Sequence, residues 1–557
     1  MKSFKRMAAW VLCMGLLAGT FAGCSNNGAS SVTPSSSETT TSAESAESST
    51  GVPDYMNPVG KFPITKEKIT VKAMAAVNSE MAKDWNSLEV FQKLEKLTNI
   101  HWEFDYVDSK TFLDQLSIRM AGDDYPEVFL MGGMSSDTEE SYGPSGKLLD
   151  LSELIDKYAP HLKKIREENP TIKLGTTALD GKIYGLPYYA ESSGNVPVLS
   201  FFDEQYMKNA GVEKVPETTD ELYTLLEAFR DKDPNKNGKK DDIPFSCQGV
   251  GYLRTILQPA FQGYTGGSAA GEWDVDESGK VIYLPEEKGF KEYLQYCHKM
   301  FSDKLLDSEF LTQTADQAKA KVQSGIVGFY NQTPTILAGT ALEKDKQICL
   351  PPLTSATNDK KVAQAPKYLS TTNGLITKNC KHPEAVVSWF DLFYRKEGEE
   401  VEGFCGKISL LGYEGEQWKY TDSSKTKYQF IDPVKSYIQL NQTVMITFGL
   451  PAYISNKAVQ VGNKLMEDKL EGGAKNQAPY YKEAYPLFVR YTKDESTEAA
   501  LITTDLDNYE LMMEGKFING QESLDKFDDF LKNLKKYRVD DLKKIKQSAY
   551  DRYIKNK

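Results

Sequence analysis

From Ile69 to Val77 the chain reads I-T-V-K-A-M-A-A-V, a pattern that predicts a strand entering a buried core. Apolar residues then recur three and four apart at Trp85, Leu88, Phe91, Leu94 and Leu97, one face of a helix. A second strand follows at once from Ile100 to Val107, and a second helix from Thr111 to Met120. Residues 124–131, D-Y-P-E-V-F-L-M, predict a loop that enters a buried strand. Strands alternating with helices imply an α/β sheet.

The same alternation continues past a helix at Leu151 to Tyr158. Residues 180–189, D-G-K-I-Y-G-L-P-Y-Y, predict a turn, a short strand and a Pro-stiffened aromatic pair that crosses between two lobes. Val198 to Phe202 resumes a strand. Pro216 then opens a helix in which Thr218 and Glu221 have the spacing of a capping box, and the helix ends at Arg230.

At the N-terminus the pattern differs. Lys2, Lys5 and Arg6 precede an apolar run from Met7 to Phe21, the layout of an export signal. The run closes on Phe21-Ala22-Gly23-Cys24, small residues directly before a cysteine, as in a bacterial lipobox, so Cys24 is the expected lipidation site and mature N-terminus. Ser25 to Gly51 is nearly all Ser, Thr, Ala, Glu, Asn and Gly, a composition that buries no core and predicts a disordered tether. Val52 to Gly60 is its Pro-containing lead-in. No later stretch of about 18 apolar residues predicts a membrane span.

Between the helix ending at Arg230 and the next apolar run lies D-P-N-K-N-G-K-K-D-D-I-P, residues 233–244. Asp233, Asn235, Asn237 and Asp241 place side-chain oxygens at alternating positions, Asp242 stands beside the last, and the Lys239 carbonyl adds a backbone donor. Gly238 allows the sharp turn that wrapping an ion requires. The spacing is that of the first half of an EF-hand and points to Ca2+. Pro244 occupies the twelfth position, where an EF-hand carries its bidentate Glu, so Asp241 and Asp242 would have to close the shell. The alternative is a polar turn with solvated lysines.

With 557 residues, 40% of them hydrophobic, the chain can bury more than one core, and its net charge of -12 shows no basic stripe for nucleic acid. After Cys13 and Cys24, five cysteines remain: Cys247, Cys297, Cys349, Cys380 and Cys405. An odd set without C-x-x-C spacing is neither a disulfide framework nor a zinc site, and allows at most two bridges.

The order of lipobox, tether, strand and helix, G-D-D-Y-P-E-V-F, D-G-K-I-Y-G-L-P and V-P-E-T-T-D-E-L resembles the extracellular solute-binding lipoproteins of carbohydrate ABC importers. K-V-Q-S-G-I-V-G-F-Y from Lys321 to Tyr330, N-G-L-I-T from Asn373 with H-P-E-A from His382, and the tail motifs Y-E-G-E-Q-W from Tyr413 and F-I-N-G from Phe517 continue the likeness. The resemblance implies the two-lobed type II periplasmic-binding fold, with a ligand cleft between the lobes. It implies a monomer without catalysis that serves permease subunits from the extracellular face of the membrane. The larger, alginate-binding-like members carry a calcium loop, whose pattern falls on residues 233–242, with Asn237 where an acid is commoner. The expected layout is a signal peptide at residues 1–23 and a tether at 24–60. A first lobe of 61–195 with about 368–430 and a second of 196–367 with about 431–557 follow.

Sugars stack their C–H faces on aromatic rings while amides and acids take the hydroxyls. On that ground the candidate ligand residues are Asn78 and Trp85 after the first strand, Tyr188 and Tyr189 at the crossing, Tyr330 with Asn331, and Phe448 with Tyr453. Core packing is the alternative for each. Trp418, Tyr413 and Glu414 form a lesser cluster. The rival from another class is an exported polysaccharide hydrolase or lyase using Glu414 with Glu416, or Asp123 with Asp124. Residues two apart on a strand share a face, which sets such carboxylates on one side of a bond and not across it. A binding protein that serves a membrane sensor has the same sequence requirements as one that serves an importer.

Overall fold

Two β-sheets joined by crossing segments organise residues 52–557, which form one unit. The computed structural model describes residues 51–191, 200–266, 272–365, 369–406, 411–432, 437–446, 449–455, 457–486 and 488–557. Cys24 and its flanking signal and tether lie outside the described residues, as does Phe448.

The first sheet begins with β1 (Ile69–Val77), which pairs in parallel with β2 (Ile100–Asp108) along its whole length and on its other edge with β3 (Val128–Leu130). Residues 73–76 of β1 are all buried, as a central strand covered on both faces requires. Beyond β3 come β4 (Gly185–Ala190), which runs beside the later strands, β5 (Phe201–Asp203), β6 (Ile243–Ser246), β7 (Val327–Tyr330), β8 (Gln347–Cys349), β9 (Leu369–Ile376) and β10 (Ala452–Ile454). The six-stranded sheet has the order β10-β4-β9-β3-β1-β2 and the four-stranded sheet β8-β5-β7-β6.

The predicted helix through Trp85 splits in two. Asp84 caps a single turn at Trp85–Ser87, Leu88 is extended, and the helix proper, α1, runs Glu89–Thr98. The helix after Thr218 is α2 (Thr219–Asp231). Thr218 accepts from the Glu221 N–H, but Glu221 returns its carboxylate to the Glu217 N–H, one residue before the cap, so only half of the capping box forms.

The lobe boundaries also shift. Leu440, Val444 and β10 pack in the core of the first sheet, so that lobe reclaims the chain to about residue 455 and not 430. The lead-in is docked too: Met56 is buried, and the Tyr55 hydroxyl donates to Glu384 at 2.8 Å. All five remaining cysteines are buried, and none is in a disulfide among the described residues. Among the described residues no helix is long and apolar enough to cross a membrane.

Candidate ligand-binding cleft

The strand directions locate the cleft. In the first sheet β1, β3 and β4 end where the chain departs at Glu191, and β9, antiparallel to β3 and β4, begins at that same edge. In the second, β6 and β7 are parallel, and β5, antiparallel to β7, starts opposite Tyr330 at the end of β7. Each sheet therefore presents the carboxyl ends of its parallel strands toward the crossing segments, where open α/β sheets take ligands. The crossings are tied together there: Leu350 N–H donates to the Ser200 carbonyl at 2.9 Å, and Glu191 N–H to the Ile454 carbonyl at 2.8 Å.

On the first lobe this edge is strained. Met131, directly after β3, has φ 66°, followed by Gly132 at 76° and Gly133 at 73°. Met131 is the non-glycine of the three, and the left-handed backbone strains it where the two glycines adopt it freely. The Met131 N–H bonds the Asn373 carbonyl at 2.9 Å, and Asn373 Nδ2 donates to the Gly449 carbonyl at 2.9 Å. A Cβ on Gly449 would lie 1.9 Å from Met131 Cε, so the end of the Met131 side chain packs directly on the Gly449 backbone. Asn373 itself sits where the pairing of β9 with β4 shifts register, between Ser370 and Gly374.

On the second lobe, Ser246 at the end of β6 donates to Asp307 at 2.7 Å, and Gln313 Nε2 donates to the Cys247 carbonyl at 2.7 Å and to the Ser246 hydroxyl at 3.1 Å. Burial raises the Asp307 carboxyl, but bonds from Lys321 and Ser246 outweigh it and hold it below the usual carboxylate range. Asn331, directly after β7, donates to Ser200 at 3.0 Å.

The predicted ligand residues divide. Asn331 and Asn78 stand at strand ends; Asn78 accepts from the Glu80 N–H in a tight turn after β1. Trp85 is a core residue instead, 0% exposed and packed against Phe104 and Tyr106 at 5.0 and 5.7 Å. An amphipathic spacing that reaches so far inward leaves no ring face for a ligand. Tyr330 is likewise enclosed, stacked on Phe201 and donating to Gln347 at 2.7 Å. Tyr188 is buried in β4. Tyr189 and Tyr453, in register on β4 and β10, stack at 5.9 Å beside the crossing; burial and the Glu191 carboxylate push the Tyr453 phenol well up. The pattern of the sequence did not single out Met131 or Gln313. The Gly132-Gly133 pair was the visible sign of the first.

Of the carboxylates of the hydrolase reading, Asp124 lines an open pocket of about 340 Å³ beside Glu103, Asp105 and Arg119. Glu416 is exposed and pairs with Lys93 at 3.0 Å, and Asp123 is exposed and pairs with Lys147 at 3.1 Å. A pocket between the 249–262 helix and the 350–364 segment, lined by Ser200, Thr255 and Gln364, measures about 50 Å³, room for water and not for a sugar ring.

In the 233–242 loop, Asp233 accepts from the Asn237 and Gly238 N–H groups at 3.2 and 3.0 Å, and Asn235 Oδ1 from the Asn237 N–H at 3.0 Å. Asn237 Oδ1 accepts from the Lys239 N–H at 2.7 Å, while its Nδ2 donates to Asp241 at 2.8 Å. Asp242 takes the Tyr206 hydroxyl at 2.5 Å. Burial, then Asp233 and Asp241, push the Asp242 carboxyl up, and none of these three acids forms an ion pair among the described residues. Among the described residues, no group of three or more acids, His or Cys is close enough to form a metal site.

Residues 73–400 match the family model described as bacterial extracellular solute-binding protein. The chain belongs to that family. The fructooligosaccharide ABC transporter substrate-binding protein FusA of Streptococcus pneumoniae is 27% identical over 540 residues, 91% of this chain and 94% of its own length. The solved structure of FusA in complex with kestose superposes with a TM-score of 0.74 at 25% identity, covering 88% of this chain and 100% of FusA. A FusA structure described as an EF-hand mutant in complex with fructo-nystose gives 0.73 at 25% identity, covering 88% and 100%. The alginate-binding protein AlgQ2 shares the fold, with a TM-score of 0.67 at 21% identity over 87% and 99% of the two chains. The solute-binding protein described here thus has the two-lobed fold of an extracellular solute-binding family.

Proposed function

We propose that this protein captures a carbohydrate, an oligosaccharide, between its lobes without reacting on it and delivers it to ABC permease subunits. The observation that carries this reading is the facing of two sets of strand ends across the crossings, in a chain similar to FusA along nearly its whole length. A ligand that touches both lobes stabilises the closed form by its greater affinity for closed over open. The lobes are residues 61–195 with about 368–455, and 196–367 with the remainder. The protein acts as a monomer, held at the extracellular face of the membrane by lipid on Cys24.

The 233–242 loop holds Ca2+ in this reading. Three carboxylates that form no ion pair among the described residues, and side-chain oxygens on alternating residues, fit a hard cation. The Asn237 amide must turn over to offer its oxygen, and FusA is itself a protein with an EF-hand. Asp233, Asn235, Asn237, the Lys239 carbonyl, Asp241 and Asp242 are the ligands.

A thermal-shift panel of neutral and acidic oligosaccharides on the purified chain tests the reading. A rise in Tm that is larger for oligosaccharides than for their monosaccharides supports it. A flat panel accompanied by hydrolysis products would exclude it.

A further inference from the structure

Both parallel strands of the second sheet end in uncharged chain. In a protein of which 26% is charged, residues 243–253, which hold the end of β6, and residues 322–342, which hold the end of β7, contain no Asp, Glu, Lys or Arg. Three polar side chains stand there half-buried, Gln248, Tyr252 and Gln332. Among the described residues none of the three has a side-chain hydrogen bond or a stacked ring. Gln248 and Gln332 hold matching places, each two residues past the in-register pair Ser246 and Tyr330. Tyr252 lies one turn into the 249–262 helix, on the face of Thr255, Ile256 and Pro259, and those three line the small pocket with Ser200. Ser200 accepts from the Asn331 amide at 3.0 Å, directly before Gln332, so the helix face that carries Tyr252 is turned toward the end of β7. The backbone beneath is held as well, by the Gln313 amide on the Cys247 carbonyl at 2.7 Å.

A sugar unit asks for an apolar ring face against its C–H groups and for amides that both donate to and accept from its hydroxyls. The second-lobe strand ends offer both, accessible and uncommitted. We propose that Gln248, Tyr252 and Gln332 are specificity-determining residues that form the second lobe's half of the sugar site, Tyr252 stacking on one sugar unit and the two amides taking its hydroxyls. The inference rests on the carbohydrate reading above and adds that the unit held here is uncharged. A uronate brings a carboxylate, which calls for a cation or charge-assisted donors. Lys321, beside β6 through Asp307, is already held by Asp307 and Glu309 at 2.8 Å each, and residues 243–253 and 322–342 supply no other cation. Because buried bonds fix both strand ends, the three side chains bind without reordering the backbone.

Calorimetric titration of the full chain with kestose, maltotriose and lacto-N-tetraose on one side and trigalacturonate on the other tests the inference. A neutral sugar should bind at least about tenfold more tightly than trigalacturonate, and Tyr252→Leu, Gln248→Ala and Gln332→Ala should each weaken it about tenfold. Tyr252→Phe, which keeps the ring, should hold affinity within about threefold. Sugar-free variants should melt with the natural chain, because these side chains bond nothing among the described residues. Where an Ala variant fails to fold, the near-isosteric Gln248→Glu and Gln332→Glu serve, and the comparison of neutral with acidic sugar on the natural chain stands without any variant. Unchanged affinity in all three variants would place the sugar elsewhere, and overturns the inference while leaving the carbohydrate reading intact. Trigalacturonate binding most tightly overturns the uncharged class. Binding of none of these sugars by the natural chain removes the carbohydrate reading itself.

Discussion

Arg490 Nη2 stands 2.7 Å from Glu139 Oε2, with both side chains almost wholly enclosed. The same guanidinium bonds Glu140 at 2.9 Å and the Gly175 carbonyl at 2.8 Å, and Glu139 also accepts from Thr372, the neighbour of Asn373. The C-terminal segment before the long helix α3 (Lys493–Ile518) is thereby riveted to the first lobe directly behind the strained strand end.

Removing Arg490 leaves two buried carboxylates without a counter-charge. Arg490→Met should lower the unfolding free energy by about 3–5 kcal/mol, since breaking one side of a buried pair strands the other. Urea unfolding followed by tryptophan fluorescence measures it. A loss under about 1 kcal/mol would show that Glu139 and Glu140 simply take up protons.

Much of this frame was legible in the chain. The 3.6 and 2 periodicities located β1, α1, β2 and α2 to within a few residues, because those elements bury one clear face. Trp85 was misplaced because periodicity shows which residues share a face but not how deep that face lies. The Arg490 pair escaped notice because its partners are about 350 residues away in sequence, and charge alone does not distinguish a buried arginine from a solvated one. Gln313 and Asn373 gained meaning only from the backbone carbonyls that their amides hold.

The left-handed run after β3 separates two glycines that look alike in sequence. A Cβ on Gly132 would lie 2.0 Å from Phe112 Cδ1, whereas one on Gly133 meets nothing within 4 Å. Gly133→Ala should therefore cost about 1 kcal/mol for its backbone alone, and Gly132→Ala about 2 kcal/mol more because a core ring must move. Thermal unfolding of both variants gives the comparison, and equal losses would mean that Phe112 yields freely.

Chelation tests the 233–242 loop. Treatment with EDTA should lower Tm, calcium should restore it, and Asp233→Asn combined with Asp241→Asn should abolish the response. Sugar affinity should survive in the chelated protein, because the loop packs on Tyr206 and lies apart from the strand ends that form the cleft. Loss of sugar binding in step with calcium would assign the ion to the cleft instead. An unchanged melting curve would leave a polar turn.

A half-buried aspartate beside a second enclosed arginine sets a pH dependence. Arg254 bonds Glu510 at 2.8 Å and also reaches Glu272 and Glu514, one cation among three enclosed carboxylates. One turn earlier on α3, Asp507 is pushed up to about 6, first by burial and then by the charge of Glu272, with Lys546 opposing. The folded protein therefore holds this proton more tightly than the unfolded chain, whose Asp titrates near 3.8. Stability from this group is complete below about pH 4 and is lost as pH rises through about 6. Asp507→Asn should leave stability near pH 4 unchanged and raise it at pH 7.5 by about 1–2 kcal/mol, less than the full shift implies because the carboxyl is partly solvated. Urea unfolding of both proteins at pH 4, 6 and 7.5 measures the effect of the group together with its coupling to Glu272. A gain of the same size at every pH would trace the effect to packing of the amide. No gain at pH 7.5 would mean that Asp507 ionises in the folded protein at its ordinary pH.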